Sequence, residues 1–189
     1  MLYPIGMQSF SEIREGGYVY VDKTAAVFSL ASTGKYYSLS RPRRFGKSLL
    51  VSTMEAYFSG RKELFKGLAM ETLEKDWTTH PVLHLDLTGS RYTSISDLEE
   101  KLGRHLSKWE SVYGKTGDLS DPASRFEAVI EAAYLKTGNK VVILIDEYAK
   151  PFHASGKEIV ELGINFSSQT RTIDGWKVKE SPVVSISGR

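Results

Sequence analysis

The chain contains no cysteine. That excludes disulfides, thiolate metal centres and a cysteine nucleophile, and it suits a reducing compartment. No apolar run approaches the ~18 residues of a membrane-spanning helix, so no membrane partner is expected. The opening Met1-Leu2-Tyr3-Pro4-Ile5-Gly6 has neither the basic stretch nor the apolar segment of a secretory leader, and a cytoplasmic location is expected. An excess of one charge is lacking too: 25 basic against 23 acidic residues give a formal net charge of +2. That balance neither requires nor forbids a nucleic-acid partner. Histidine is scarce, at four residues. His80 and His84 are four apart on a strand-like stretch interrupted by Pro81, which makes no metal pair, and His105 and His153 have no evident partner, so no zinc site is expected. Internal repeats and low-complexity tracts are also missing. What is present, 41% apolar and 25% charged residues over 189 positions, is the composition of a folded domain. A chain of this size buries about 70% of its unfolded surface, enough for a real core.

Strands separated by helices run through the first 146 residues and predict an α/β fold. A short helix around residues 9–15 precedes the β-prone run Tyr18-Val19-Tyr20-Val21. Asp22 then offers a cap for a helix from Lys23 to about Leu30, ended by Gly34. Residues 35–39 read as a strand, and residues 47–58 as a helix with Leu49, Leu50, Met54 and Tyr57 at helical spacing. Residues 63–75 read as a helix broken at Gly67. Pro81 introduces a strand over 82–87. Two amphipathic helices follow: Leu98, Leu102, Leu106, Trp109 and Tyr113 form the stripe of the first, and Phe126, Val129, Ile130 and Ala133 that of the second, which starts at Asp121-Pro122. Residues 141–145 are continuously apolar before Asp146, as a strand buried on both faces requires. Beyond residue 151 the pattern changes: residues 160–166 alternate as a half-buried strand, and residues 171–178, with Asp174-Gly175 at the turn, predict an antiparallel hairpin.

Between the 35–39 strand and the 47–58 helix stands Arg41-Pro42-Arg43-Arg44-Phe45-Gly46-Lys47-Ser48. This is the position and form of a phosphate-binding loop, GxxxxGK[ST], with Arg41 replacing the first glycine. The layout serves the chemistry, because backbone N–H groups at a helix start hold anionic oxygens. Arg43, Arg44, Phe45 and Gly46 would line the phosphates, Lys47 would reach the β- and γ-phosphates, and the Ser48 hydroxyl would ligate Mg²⁺. Almost one hundred residues on, Asp146-Glu147 ends an apolar strand as a Walker B pair does. Asp146 would then serve the metal and Glu147, the candidate catalytic residue, would polarise the attacking water. The plain alternative is a strand ending in a solvated acidic turn. The arginines could form a nucleic-acid patch, although at a helix start they suit phosphate or loop conformation better. Asp86, closing the 82–87 strand, is expected to cap or bond a loop, with a second Mg²⁺ or water ligand as the alternative.

Tyr3-Pro4-Ile5-Gly6, Tyr20-Val21-Asp22-Lys23-Thr24, residues 39–48 and Ile145-Asp146-Glu147-Tyr148 together resemble the AAA-ATPase-like family of anaerobic bacteria, over residues 3–148. The resemblance accounts for Arg41, since that family itself departs from the first glycine. It implies a three-layer P-loop NTPase-like parallel sheet flanked by helices, ATP and Mg²⁺ as cofactors, and the phosphate-loop and Walker B roles for Gly46, Lys47, Ser48, Asp146 and Glu147. Its members usually carry a downstream nuclease-like domain of the PD-(D/E)xK class. Where the family continues Asp-Glu-Tyr-Asp-Lys-Pro, this chain has Ala149, and its last forty residues resemble the end of that nuclease-like domain. The expectation is a shortened ATPase-like domain over residues 1–148 and a β remnant over 149–189, joined by an internal deletion near residues 148–150. The acid and lysine residues of a nuclease site are not recognisable, so nuclease activity is not expected. An ATP-binding protein with weak Mg²⁺-dependent hydrolysis is the leading reading. A non-catalytic remnant acting through protein contacts, or a nucleic-acid-binding module using the arginine-rich loop, are the alternatives. For the central strands, direct pairing of 35–39 with 141–146 competes with insertion of the tail strand beside the sheet.

Overall fold

The computed structural model describes residues 1–33, 37–39, 45–87, 94–115, 117, 119–146, 169–173 and 176–180. The first part is a helical cluster. Ser9 accepts a hydrogen bond from the Glu12 amide and starts α1 (Phe10–Glu15). The expected strand at Tyr18-Val21 is not formed; that run makes only an isolated bridge from Tyr18 to Leu2. Burial decides against it, because the Tyr20 ring turns in to meet Phe10 edge-on at 5.0 Å. Asp22 precedes α2 (Thr24–Thr33) as predicted, with Oδ1 accepting from the Thr24 amide at 2.8 Å and the Thr24 hydroxyl at 2.7 Å. Its second oxygen does something that local spacing does not show. It accepts from the Ala69 amide at 2.7 Å, at the start of α4 (Ala69–Leu73). The fully buried Thr24 hydroxyl oxygen accepts in turn from the Met70 amide at 3.0 Å. Between these helices lie α3 (Lys47–Phe58) and a 3₁₀ turn at Lys62–Phe65. Phe10, Val27, Phe65 and Met70 fill the centre, and the Phe10 amide donates to Ser52 Oγ at 2.9 Å, tying α1 to α3.

The second core is built on a parallel pair. β2 (Val82–Asp86) and β3 (Val142–Asp146) run in register from Val82 opposite Val142 to Asp86 opposite Asp146. Their crossover is the helical hairpin of α5 (Ile95–Tyr113) and α6 (Pro122–Thr137). Both helices start on side-chain caps, a Ser94–Asp97 capping box and Asp121 ahead of Pro122. α6 ends on Gly138 at φ +70°, an angle that glycine adopts without steric cost. Leu83, Leu85 and Ile143 project to one face of the pair and pack with Leu106, Trp109, Val129 and Ala133 of the hairpin. Arg125 grips Glu110 through Nε and Nη2, both at 2.8 Å, and locks α6 to α5. α3 packs against the strands as well, and its contact with His84 places it on the other face. Helices therefore cover both faces of the parallel strands.

The remaining strands form a separate antiparallel sheet. β1 (Ser38–Leu39) pairs with β5 (Trp176–Glu180), which pairs with β4 (Gln169–Ile173). Among the described residues the parallel part of the fold is thus two strands, and β1 joins the tail rather than β3. A two-residue strand has few ladder bonds to offer, and β5 takes them. The expected strand at 160–166 lies outside the described residues, as do the turn at Asp174-Gly175 and His153. No described helix is long and apolar enough to cross a membrane.

Asp22 yields a stability prediction. Burial opposes its charge, but the amides of Ala69 and Thr24, the Thr24 hydroxyl and nearby Arg14 outweigh it and hold the carboxyl below its usual value. Asp22→Ala is expected to lower stability at neutral pH by about 2 kcal/mol, the scale of hydrogen bonds to a charged group. The check is a shift of the urea midpoint at constant slope. A depressed carboxyl stabilises above its unfolded pKa and loses that contribution as the pH falls through the folded one, so the gap between parent and variant closes in acid.

Candidate functional site

α3 opens on Gly46, which adopts φ +73° and ψ 23°, in the left-handed region. A Cβ there would meet no atom within 4 Å, so the glycine answers a backbone angle and not a shortage of space. No side chain caps the helix start, and its first turn holds no acid. The exposed positive end of the helix dipole and the first-turn N–H groups suit an anion. Lys47 and Ser48 are half-buried there, and Phe45 is exposed. Arg41, Arg43 and Arg44 lie outside the described residues.

Asp146 closes β3 and is buried, with 6% of its surface exposed. Asp86 closes β2 directly opposite. The Leu87 amide donates to the Asp146 carbonyl at 3.1 Å and carries the ladder one step beyond β2. Both acids therefore sit at the carboxyl ends of parallel strands, where open α/β sheets receive ligands. α3, which begins with Lys47 and Ser48, packs against the strand that Asp146 terminates. Glu147 lies outside the described residues.

One histidine departs from the sequence expectation, and a second makes a link on which the sequence is silent. His105 has a partner: its Nε2–H donates to the Asp86 carbonyl at 3.2 Å, and its ring lies 5.6 Å from that of Trp109. α5 folds back over β2, which spacing along the chain does not show. Burial, with Lys101 nearby, keeps this imidazole below its usual pKa and hence neutral. His84 donates from Nδ1 to Glu55 Oε2 at 2.9 Å, linking β2 to α3. Its Nε2 is buried without a hydrogen-bond partner among the described residues. Burial opposes the imidazolium, yet the bond to Glu55 and the charges of Glu55, Asp86 and Asp146 raise its pKa above 6.5. On the other side the His84 hydrogen bond, against burial, lowers the Glu55 carboxyl, with help from the charges of His84 and Lys108. Glu55 carries no motif, and only the fold reveals its role.

A family described as predicted AAA-ATPase matches residues 4–170. The chain belongs to this predicted AAA-ATPase family. It is also similar to an uncharacterized protein in the vnfD 5′ region of Azotobacter chroococcum mcd 1, at 42% identity over 150 residues. That match takes in 78% of this chain but 29% of the relative, so the chain spans under a third of that protein's length. No solved structure matches it. A predicted AAA-ATPase family implies a nucleotide ligand, and the described residues have the chemistry to fit one. The helix start is uncapped, glycine-led and free of acids, the lysine and hydroxyl are in its first turn, and a buried carboxylate ends the strand beneath it.

The Glu55–His84 link predicts a pH signature. The raised histidine stabilises fully below its unfolded pKa and loses that contribution as the pH rises through the folded value. The depressed glutamate stabilises above its own unfolded pKa. The link is therefore strongest between about pH 4.5 and 6.5. Glu55→Gln is expected to cost roughly 0.5 kcal/mol at pH 6, discounted for the exposure of Glu55, and almost nothing at pH 9. Paired urea titrations at the two pH values check this.

Proposed function

We propose that this chain binds ATP with Mg²⁺ at the α3 N-terminus and hydrolyses it slowly. The observation that supports this best is the uncapped, Gly46-led start of α3 packed on the strand that ends in buried Asp146. Backbone N–H groups of residues 46–48 would donate hydrogen bonds to the phosphate oxygens, with Arg43, Arg44 and Phe45 bordering them and Lys47 supplying a cation. Ser48 and Asp146 would hold Mg²⁺, which when bound neutralises charge on the β- and γ-phosphates. Glu147, one residue past the buried acid, would orient the attacking water and accept its proton. Residues 1–148 would be the ATPase-like unit and residues 149–189 a remnant of a nuclease-like domain without nuclease activity, joined across an internal deletion. A gene whose sequence is continuous through the junction would support that origin, and an intact middle segment at the locus would refute it.

A second reading has one observation in its favour. Among the described strands only β2 and β3 pair in parallel, and β1 is in the other sheet. A folded module that has lost its nucleotide chemistry and acts through protein contacts is consistent with this.

Thermal unfolding with and without Mg·ATP separates the two. At a ligand concentration of 100 Kd, linkage predicts about 2.7 kcal/mol of stabilisation. For a domain of this size that raises Tm by roughly 5–10 °C. Lys47→Ala should abolish the shift. A cooperative transition with no shift in the parent supports the second reading. In the first reading Glu147→Gln keeps the shift and loses hydrolysis by about 10²–10⁴-fold, as phosphate release would report.

A further inference from the structure

Among the described residues the outer edge of β2, the one away from β3, carries no strand. The ladder shows which backbone groups this leaves over. The Pro81 carbonyl accepts from the Val142 amide, and the Leu87 amide donates to the Asp146 carbonyl. Odd-numbered residues of this run therefore turn their N–H and C=O groups toward β3. Alternate residues of a strand point opposite ways, so Val82, His84 and Asp86 direct theirs outward. The Asp86 carbonyl bears this out, because it meets the Nε2–H of His105 on α5 and not β3. The outward N–H and C=O groups of Val82 and His84 meet no backbone partner among the described residues.

A groove of about 580 Å³ lies along this edge. From β2 it is lined by Val82, His84 and Asp86, the same three residues; α5 forms one wall, and Glu55 reaches it from α3. Spread over the ~16 Å of a five-residue strand, that volume leaves a section of roughly 36 Å². One extended chain fills such a section, whereas a helix about 10–12 Å across does not enter it. Charge does not select the occupant, since Glu55 and Asp86 stand among Lys101, Arg104 and Lys108. Apolar surface does select at one end. α5 runs against β2, so His105 lies at Asp86 and Tyr113, about 12 Å further along the helix, lies toward Val82. Trp109, Val112 and Tyr113 make that end of the wall apolar, and Val112 is 50% exposed.

We propose that this groove binds an extended segment of a partner protein, which adds a strand to the outer edge of β2 and sets apolar side chains against Val112 and Tyr113. Unpaired backbone groups at alternate residues supply the attraction, and the apolar end of the wall sets the register. A second copy of the chain would have to bring its own α5 to the same edge, and the groove has room for one strand alone. Nucleotide binding at α3 is not required.

The test uses the whole chain and a fluorescein-labelled heptapeptide of alternating threonine and valine with phenylalanine at its centre, read by anisotropy and by amide hydrogen exchange. In the free protein the His84 amide should exchange at least tenfold faster than those of Leu83 and Leu85, which face β3. Saturating peptide should slow it at least tenfold. Methylating one alternate set of peptide amides should weaken binding at least tenfold, and methylating the other set less than threefold, because a strand turns only every second amide to its neighbour. Val112→Lys should weaken binding at least fivefold at an unchanged Tm, whereas Arg104→Gln with Lys108→Gln should leave it within threefold. The proposal is overturned by no saturable binding at about 1 mM peptide, by equal sensitivity to the two methylated sets, or by unchanged exchange at His84. It is equally overturned if the charge variant abolishes binding and Val112→Lys does not, since the groove would then hold an anion. Self-association of the free chain that Val112→Lys removes would also overturn it, by making a second copy the occupant. Lys47→Ala should leave peptide binding within twofold, and the Tm shift with Mg·ATP reports α3 separately, so either proposal can fail without the other.

Discussion

The parallel pairing of β2 with β3 is the constraint on which the other features depend. Parallel strands cannot be joined by a tight turn, so the chain must cross over, and α5 and α6 are that crossover. Once the hairpin lies on the Leu83–Ile143 face, the opposite face requires its own cover, which α3 supplies. Register then does the chemical positioning. With Val82 opposite Val142, the two acids that end the strands must stand side by side, and the end of the sheet acquires paired carboxylates without a motif that links them.

α3 is held in this arrangement from several directions, two of them polar and specific. Ser52 receives the Phe10 amide, Glu55 receives His84, and the apolar side of the helix is buried at Leu50 and Ala56. Apolar packing alone tolerates sliding by fractions of a turn; directional hydrogen bonds do not. The Asp22–Thr24 clamp performs the same task for α2 and α4, satisfying two α4 amides from residues nearly fifty positions earlier. Such clamps fix the scaffold around the α3 N-terminus more tightly than burial would.

Local patterns carried most of the element assignments. The 47–58 helix, the cap at Asp121 and the two apolar strands were legible because each depends on periodicity or on a capping residue adjacent in sequence. The failures share a cause as well. Tyr18-Val21 has strand propensity, but the Tyr20 ring gains more from the helical cluster than from a ladder with one short neighbour. His105 and Glu55 found partners nineteen and twenty-nine residues away, distances at which spacing carries no information. At the candidate site the glycine, lysine, serine and buried aspartate could be named from sequence, whereas the β2 histidine beneath them could not.

The two sheets divide the supports of the α3 N-terminus. α3 itself is anchored on β2 and β3. The strand that precedes it, β1, takes its ladder partner from β5, more than 130 residues downstream. Residues 40–46 therefore connect two independently paired sheets. The tail residues that pair with Ser38 and Leu39 fix where the chain enters that connection, and the parallel pair fixes the helix into which it leads. Positioning of the helix start in the proposed site thus depends on segments far apart in sequence, not on the connection alone.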